Sequence, residues 1–443
     1  MTRNRRIVFL LAILLIIPFP IFGEDLQQGA ICNPWAREEL TDGDKMGIYP
    51  IDYLITNMDF TLPIQEKEIN DIYERTLKKL KELDLERTSP NVYHFKKGTR
   101  GEILDSLYTL YCDFYNDGKN TKDPVAFFQE KNILKGNGSS LNLEGICSRE
   151  EAIALYVRTL KALYHDLGCS AKGFFWSIEH NGNIVYLLGS IHVGKHKMYP
   201  IRKEVMDAFH HSTHVYFEID SNEQEELEYM KKQMIYTDGR TLKDDLGEKD
   251  YNTFREIMTV HGIPESIYQY YRPWAAYSLI SSNPQNISLQ SYLGVETYFT
   301  QKAKLHKKKI GQLESIKSQT DVLYNFDSEN YLFMIKNLLQ EINQHGYRTL
   351  DDQMNSLQDV WIEGDVRTLN QYLKAEEKSG PHKSFNETLL GNRDIHMANE
   401  IEKLLKSKEK HRSFVIIGAA HLTPKNSVLG MLKQKGYTIK AYQ

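Results

Sequence analysis

The amino-acid sequence predicts an α/β fold, because two apolar runs flank a long segment with helical periodicity. The runs at 184–188 and 414–417 are rich in β-branched residues and are typical of buried strands. Helical patterns dominate the segment between them, most clearly over 222–290. We therefore predict a central mixed sheet formed by both ends of a C-terminal domain, 171–443, with a large helical insertion. A small, mainly helical N-terminal domain, 24–170, precedes it.

Turn signals and apolar periodicity predict the other elements of the C-terminal domain. A strand at 174–178 and a turn at 180–183 predict a β-hairpin that leads into the first apolar run. Further strands are predicted at 215–220, 309–314 and 437–442. Helices are predicted at 201–210, 328–345, 351–375, 392–407 and 427–435.

The composition indicates an ordinary folded protein of more than one domain. The chain has 443 residues, of which 41 % are hydrophobic and 26 % are charged. Its formal net charge is −4 and its pI is about 6.4. This balance gives no general case for nucleic acid or an anionic membrane as a partner, and we expect no nucleic acid.

The first 23 residues have the layout of a secretory signal peptide. Three arginines precede an almost uninterrupted apolar stretch at 7–22, and cleavage is expected near Gly23. The alternative is an uncleaved N-terminal anchor, for which the apolar run is slightly short. Either interpretation predicts an exported protein, extracellular or associated with the cell envelope.

All four cysteines lie in the first 170 residues. An even count in an exported chain suggests up to two disulfides, with three pairings open. No Cys-x-x-Cys spacing is present, so a zinc or redox role for them is not expected. Their distribution suggests that the two halves of the chain are separate units. The four are Cys32, Cys112, Cys147 and Cys169.

The N-terminal domain contains a weak helical repeat. After a charged amphipathic helix at 65–85, Thr99 with Glu102 and Ser148 with Glu151 form two capping-box patterns 49 residues apart. The fuller second copy, residues 127–151, resembles the S-layer homology module. That resemblance implies binding of a cell-wall polysaccharide, with an arginine helping to bind acidic sugar. A helical spacer built on generic capping boxes is the alternative.

Two Gly-x-x-His motifs are the strongest functional signal. Gly189 and His192 follow the first apolar run, and Gly418 and His421 follow the second. A glycine at a strand end permits a sharp turn or a close approach. Because open α/β sheets place their sites at the carboxyl ends of strands, we expect both imidazoles at one rim of the sheet.

Two carboxylates are predicted at the same rim. Glu218 and Glu314 end predicted strands, and Arg393 opens a helix from which it could pair with a site carboxylate. Histidine and carboxylate ligands suit zinc, manganese, cobalt or iron, and no His-Glu-x-x-His helix is present. The alternatives are hydrogen-bonded turn histidines and a surface salt bridge of Arg393. His210 is predicted to end a helix, where an imidazolium suits the helix dipole.

At these residues the sequence resembles the TraB/GumN family, in order, over about 173–443. The family includes the Tiki proteins, which are metal-dependent proteases that clip secreted signalling proteins near their N-termini. It also includes pheromone-shutdown proteins, for which peptide capture or breakdown has been proposed. The resemblance is carried by Tyr186–Gly194, Phe217–Asp220, Gly294–Glu296, Leu313–Ser315, Trp361–Asp365, Asn392–Asp394 and Gly418–Leu422.

The resemblance implies that His192, Glu218 and His421 form the active set, and Glu314 and Arg393 also match family positions. Two departures are modest: Ser190 replaces the usual Thr, and Glu296 stands where Asp is commoner.

The leading hypothesis is an exported metal-dependent peptidase that acts on an extracellular peptide or protein. In it, His192 and His421 hold a divalent ion, Glu218 ligates the ion or acts as the base, and Glu314 completes the site. Manganese, cobalt and zinc are not distinguished. The alternatives are a non-catalytic peptide or pheromone binder on the same fold, and a hydrolase of another bond, such as an ester.

Overall fold

A computed structural model describes most of the chain. The described residues are 30–56, 58–87, 93–115, 123–134, 141–219, 223–283, 287–376, 381–423 and 427–442. The predicted signal peptide, 1–23, lies outside them. Among the helices of the described ranges, none is both long and apolar enough to cross a membrane.

The described residues form one mixed sheet of six strands in the order β4-β3-β5-β2-β1-β6. Strands β4, β3, β5 and β2 are mutually parallel, and β1 is antiparallel to β2 and to β6. The predicted α/β fold, with a sheet formed largely by the two ends of the C-terminal region, is confirmed. The strands are β1 (Phe174–His180), β2 (Asn183–Ser190), β3 (His214–Phe217), β4 (Lys309–Gln312), β5 (Arg412–Gly418) and β6 (Ile439–Tyr442).

The predicted hairpin joins β1 to β2. Asn181 and Gly182 have φ of 51° and 79°, the left-handed conformation that a two-residue turn of the I′ type requires. Strands β2 and β5, far apart in sequence, are direct neighbours, and Ser190 pairs with Gly418. The two Gly-x-x-His motifs therefore leave adjacent parallel strands at the same edge.

In the part of the chain that the structure describes, six α-helices precede the sheet, and both predicted capping boxes are present. The side chain of Thr99 accepts from the Glu102 N–H and that of Ser148 accepts from the Glu151 N–H. Each glutamate carboxylate in turn accepts from the backbone N–H of its capping residue. These helices are α1 (Arg37–Met46), α2 (Asp52–Ile55), α3 (Glu66–Lys81), α4 (Arg100–Phe114), α5 (Pro124–Glu130) and α6 (Arg149–Asp166).

The arginines of the two repeats are used inside the domain. Arg149 is buried and its Nε lies 3.0 Å from both carboxylate oxygens of Glu68. Arg100 forms an ion pair with Glu151 and donates to the carbonyl of Leu141 at 3.0 Å. These contacts favour the helical-spacer interpretation over a polysaccharide-binding role for the two arginines.

The helices of the C-terminal region agree with the prediction except at two places. The helix predicted at 392–407 begins at Pro381, so Arg393 lies within it and does not open it. The predicted single helix 351–375 is two helices, because Gly364 has a φ of 64° and ends the first of them. The helices are α7 (Lys203–His211), α8 (Gln224–Met234), α9 (Leu242–Leu246), α10 (Glu248–Val260), α11 (Glu265–Tyr268), α12 (Pro273–Ser281), α13 (Ile287–Tyr292), α14 (Val295–Leu305), α15 (Ile316–Asn325), α16 (Ser328–His345), α17 (Arg348–Glu363), α18 (Val366–Glu376), α19 (Pro381–Leu405) and α20 (Val428–Gln434).

Two hydrophobic cores organise the molecule. The helical insertion has its own core, in which Trp274 and Ile335 are buried. The other core is continuous from the N-terminal helices to the sheet and includes both Tyr156 and Phe174. The domain boundary near 170 stays a prediction, but the apolar packing does not stop there.

Buried charges also cross this boundary. Lys45 is fully buried and donates to the carbonyl of Tyr292 at 2.6 Å. Asp42 contacts Lys302 at 3.0 Å, and both side chains are almost fully buried. Because a buried charge requires a partner, these pairs tie α1 firmly to the C-terminal region.

The disulfide prediction is wrong for this structure. All four cysteines lie in the described residues, and no disulfide joins them. They stand on or beside different elements, and Cys147 is buried as part of the hydrophobic core. Burial raises the pKa of the Cys147 thiol to about 11, so it behaves as a small apolar residue.

Candidate metal centre

The predicted site residues come from the carboxyl ends of the four parallel strands. His192 follows β2, Glu218 follows β3, Glu314 follows β4 and His421 follows β5. Parallel strands bring their carboxyl ends to one edge of the sheet, and in α/β sheets that edge is where ligands bind. We call this edge the carboxyl edge.

The motif glycines are required for close packing. The N–H of Gly418 donates to Oε1 of Glu218, and a Cβ on Gly418 would lie 3.0 Å from that oxygen. A Cβ on Gly189 would lie 3.1 Å from Cβ of Phe174. Of the two roles predicted for these glycines, the structure favours close approach.

Two further glycines join the His192 loop to the start of α14. A Cβ on Gly194 would lie 1.8 Å from the carbonyl oxygen of Leu293. A Cβ on Gly294 would lie 2.2 Å from the carbonyl oxygen of His192. Because only glycine fits at both positions, the two loops pack backbone against backbone and place Glu296 beside His192.

Arg393 joins the two predicted carboxylates. Its Nη2 lies 3.0 Å from Oε2 of Glu218, and its Nε lies 2.9 Å from Oε1 of Glu314. Gln319 donates to Glu314 at 2.9 Å and to Glu218 at 3.3 Å. All four side chains are buried. Arg393 is therefore a buried partner of the site carboxylates and not part of a surface salt bridge.

These contacts keep Glu218 ionised. Burial alone would raise the pKa of Glu218, but the charges of His421, Arg393 and His192 and the Gly418 N–H lower it to about 2. At neutral pH Glu218 is a fixed anion with both oxygens engaged, which suits a ligand or an anchor better than a proton acceptor.

Asp394 orients His421. Nδ1 of His421 lies 2.5 Å from Oδ1 of Asp394, and both residues are buried. Burial raises the pKa of Asp394, and the contact with His421 opposes that rise. Nε2 of His421 lies 3.7 Å from Oε1 of Glu218. A carboxylate on one imidazole nitrogen with the other nitrogen turned to the site is typical of metal-binding histidines.

His192 also faces a carboxylate, but without a hydrogen bond. Its Nδ1 lies 3.1 Å from Oε1 of Glu296, and the contact lacks hydrogen-bond geometry. Both carboxylate oxygens of Glu296 and the hydroxyl of Ser190 are buried without a hydrogen-bond partner. Buried polar atoms are normally satisfied, so these three atoms are available to a cation or a hydrogen-bond donor at this site.

Sequence reasoning missed three residues of this site. Glu296 and Asp394 lie inside motifs that carry the family resemblance, but no role was assigned to either. Nothing in the local sequence distinguishes Gln319. His210, conversely, lies away from the carboxyl edge, since it precedes β3.

The fold and the site together define a mixed-sheet α/β protein with histidines and carboxylates gathered at the carboxyl ends of its parallel strands. The chain belongs to the TraB/PrgY/gumN family, whose family model matches residues 174–441. The predicted family resemblance is confirmed. No solved structure matches the chain.

Curated relatives carry names that specify a reaction. Metalloprotease TIKI2 from Xenopus tropicalis is 24 % identical over 314 residues, covering 61 % of this chain and 60 % of the relative. Metalloprotease TIKI1 from Danio rerio is 22 % identical over 311 residues, covering 61 % and 63 %. Metalloprotease TIKI homolog from Nematostella vectensis is 21 % identical over 315 residues, covering 61 % and 67 %. The chain thus spans about three fifths to two thirds of the length of these relatives.

Proposed function

We propose that the protein is an exported metal-dependent peptidase whose active centre is the carboxyl edge of the sheet. The observation that carries the proposal is the pair of histidine–carboxylate contacts, His421 with Asp394 and His192 with Glu296. The two histidines follow adjacent parallel strands, and the charges of both lower the pKa of Glu218. The names of the relatives support a metalloprotease, and the predicted signal peptide supports export.

The donor chemistry suits a divalent cation, and the side chains would have to close around it, because the ligand atoms of His192, Glu218 and His421 do not all lie within 4.8 Å of one another. His192 and His421 would contribute their Nε2 atoms, because a carboxylate faces Nδ1 of each ring. Glu218 would contribute Oε1, which lies 3.7 Å from Nε2 of His421. A divalent ion held by this set would polarise a peptide carbonyl and lower the pKa of a bound water towards roughly 7. Two nitrogens and one oxygen suit manganese, cobalt and zinc alike.

The roles proposed for the glutamates differ from the predicted ones. Glu218 is held by Arg393 and the Gly418 N–H, so it serves as a ligand and not as the base. Glu314 is held by Arg393 and Gln319 and fixes the arginine. Glu296 lies on the Nδ1 side of His192 and would orient that imidazole, as Asp394 orients His421.

A metal assay tests the proposal. The purified protein is compared with a His192→Ala/His421→Ala variant for bound metal by mass spectrometry, after exposure to manganese, cobalt or zinc. A His214→Ala/His411→Ala variant is the matched control, since it also removes two imidazoles whose rings lie 5.1 Å apart. We expect the first variant to bind one equivalent of metal fewer than the wild type and to lose peptide cleavage, and the control to match the wild type in both. Equal metal content in all three proteins would contradict the proposal.

A non-catalytic peptide binder on the same fold is the second candidate. Saturated hydrogen bonding of Glu218 and Glu314 favours it, because neither carboxylate is free to move a proton. The two candidates differ in product: a peptidase releases fragments with the mass of hydrolysed peptide bonds, whereas a binder returns the peptide intact. Product masses would also identify hydrolysis of an ester.

A further inference from the structure

A second cluster of metal-binding side chains lies at the opposite edge of the sheet. Glu38, His210 and His306 each offer a ligand atom, and these atoms all lie within 4.8 Å of one another. His210 lies just before β3 in the chain and His306 just before β4, so both residues lie at the amino ends of parallel strands. The length of the strands therefore separates this cluster from the candidate centre at the carboxyl edge.

From this geometry we infer a zinc site formed by Glu38, His210 and His306, with the fourth coordination position left to water. Nε2 of His210 lies 3.5 Å from Oε1 of Glu38, and Nε2 of His306 lies 3.4 Å from the same oxygen. In a tetrahedral zinc site with bonds of about 2.0–2.1 Å, neighbouring ligand atoms are about 3.3–3.4 Å apart. The observed spacings are close to that edge length.

The same distances are too long for strong hydrogen bonds between the two imidazoles and the Glu38 carboxylate. A charge-assisted hydrogen bond between imidazole and carboxylate is about 2.7–2.9 Å long. Here two imidazole nitrogens share one carboxylate oxygen at 3.4 and 3.5 Å. The two rings have centroids 5.0 Å apart and are nearly perpendicular, at 82°. Each ring therefore directs Nε2 towards the carboxylate without closing a good hydrogen bond.

The donor set is also one that proteins use for zinc. His210 and His306 each offer an imidazole nitrogen, and Glu38 offers a carboxylate oxygen.

Lys302 supports the carboxylate and is itself neutralised elsewhere. Its Nζ donates to Oε1 of Glu38 at 2.6 Å and contacts both oxygens of Asp42 at 3.0 and 3.1 Å. A carboxylate oxygen has two lone pairs, so Oε1 can accept from Lys302 and still face a cation. Carboxylates that ligate metals are commonly hydrogen-bonded in this way. The three ligands are also partly exposed, which gives zinc an entry path.

The site would join two parts of the chain. Glu38 lies on α1, outside the region 174–441 that matches the family model, whereas His210 and His306 lie inside it. Zinc would therefore fasten the N-terminal helices to the family domain and stabilise the folded chain by mass action. The site does not depend on the peptidase proposal, because it shares no residue with the carboxyl edge.

Zinc titration tests the site in protein that already carries His192→Ala and His421→Ala. This background removes the carboxyl-edge histidines, so the fate of the peptidase proposal does not affect the result. We expect one equivalent of zinc to bind and to raise the Tm. Adding His210→Ala and His306→Ala should abolish both effects, and adding His214→Ala and His411→Ala should leave them intact.

Two results would overturn the inference. One is the absence of saturable zinc binding in the background protein. The other is an unchanged number of bound zinc ions per protein after His210→Ala/His306→Ala is added. If the background protein does not fold, Glu38→Gln in otherwise unchanged protein decides the question. The Glu38→Gln substitution keeps the size of the side chain and should reduce the bound zinc by one ion per protein. Tetrahedral cobalt absorption that disappears with Glu38→Gln would support the site, and unchanged absorption would count against it.

Discussion

Nδ1 of His421 lies 2.5 Å from Oδ1 of Asp394, and the two residues belong to different motifs of the chain. Asp394 lies on α19, next to Arg393, which holds Glu218 and Glu314. One turn of a helix thus orients an imidazole and fixes two carboxylates. Helix α19 therefore has a direct role in shaping the site, although the histidine and carboxylates that it holds follow the strands of the sheet.

Asp394→Asn should weaken metal binding while preserving the fold. The amide has the size of the carboxylate but loses the charge that orients His421, and such partners typically contribute 10–100-fold to metal affinity, by an order-of-magnitude estimate. Metal titration by calorimetry would measure the change. Asp359→Asn is the control, because Asp359 is exposed and pairs only with Lys195 in a surface salt bridge. Equal affinities of the two variants would exclude the orienting role.

Arg393→Gln should destabilise the protein by about 3–5 kcal/mol, because it leaves two buried carboxylates without their cation. Arg393 is only 7 % exposed, so water cannot take over its role without rearrangement. Urea unfolding would measure the loss. Arg412→Gln, at an exposed arginine on β5, should change stability by no more than about 0.5 kcal/mol. A loss for Arg393→Gln as small as that of the control would contradict the buried ion network.

Local sequence patterns predicted the elements and the edge at which the site lies. Alternating and apolar runs marked the strands, and the Asn181–Gly182 turn marked the hairpin. Once β2 and β5 were taken as parallel strands, their Gly-x-x-His motifs had to reach one rim. These features depend on neighbours in sequence or on the general geometry of α/β sheets, so one sequence is enough to predict them.

The contacts between distant segments could not be predicted in this way. Nothing near Lys45 shows that it is buried against Tyr292, 247 positions away. Glu296 and Asp394, which face His192 and His421, lie within the motifs that carry the family resemblance. The spacing of these motifs in the sequence does not show which carboxylate faces which ring. The cluster of Glu38, His210 and His306 joins three segments whose proximity follows only from tertiary packing.

Gly194→Ala should destabilise the protein and disturb the site. The new Cβ would lie 1.8 Å from the carbonyl oxygen of Leu293, so the His192 loop must move away from α14. We expect a loss of about 1–3 kcal/mol, as for other overpacked positions, together with weaker metal binding. Gly391→Ala is the control, because its Cβ would meet no atom within 4 Å and it lies within helix α19. It should be neutral or stabilising by up to about 1 kcal/mol. Urea denaturation of both variants would measure their free energies of unfolding. A Gly194→Ala variant as stable as the wild type would contradict the packing argument.

The buried Lys79 should make stability rise with pH above neutrality. Burial lowers the pKa of Lys79 from 10.5 to about 7, and its ammonium donates to the carbonyl of His196 at 2.8 Å. Between these two pKa values the unfolded chain holds the proton and the folded chain does not. The unfolded state therefore binds more protons, and the free energy of unfolding increases with pH over this window, by at most about 1.4 kcal/mol per pH unit. Below pH 7 the full cost of the buried charge remains.

Lys79→Met should remove that part of the pH dependence, because methionine fills a similar volume and does not titrate. Urea unfolding at intervals from pH 6.5 to 9.5 would give the slope for each protein. Lys78→Met is the matched control, since Lys78 is the exposed neighbour on the same helix. We expect Lys79→Met to be more stable than wild type near pH 6.5, with the difference shrinking as the pH rises, and Lys78→Met to keep the wild-type slope. Identical slopes for wild type and Lys79→Met would show that Lys79 does not titrate in this range.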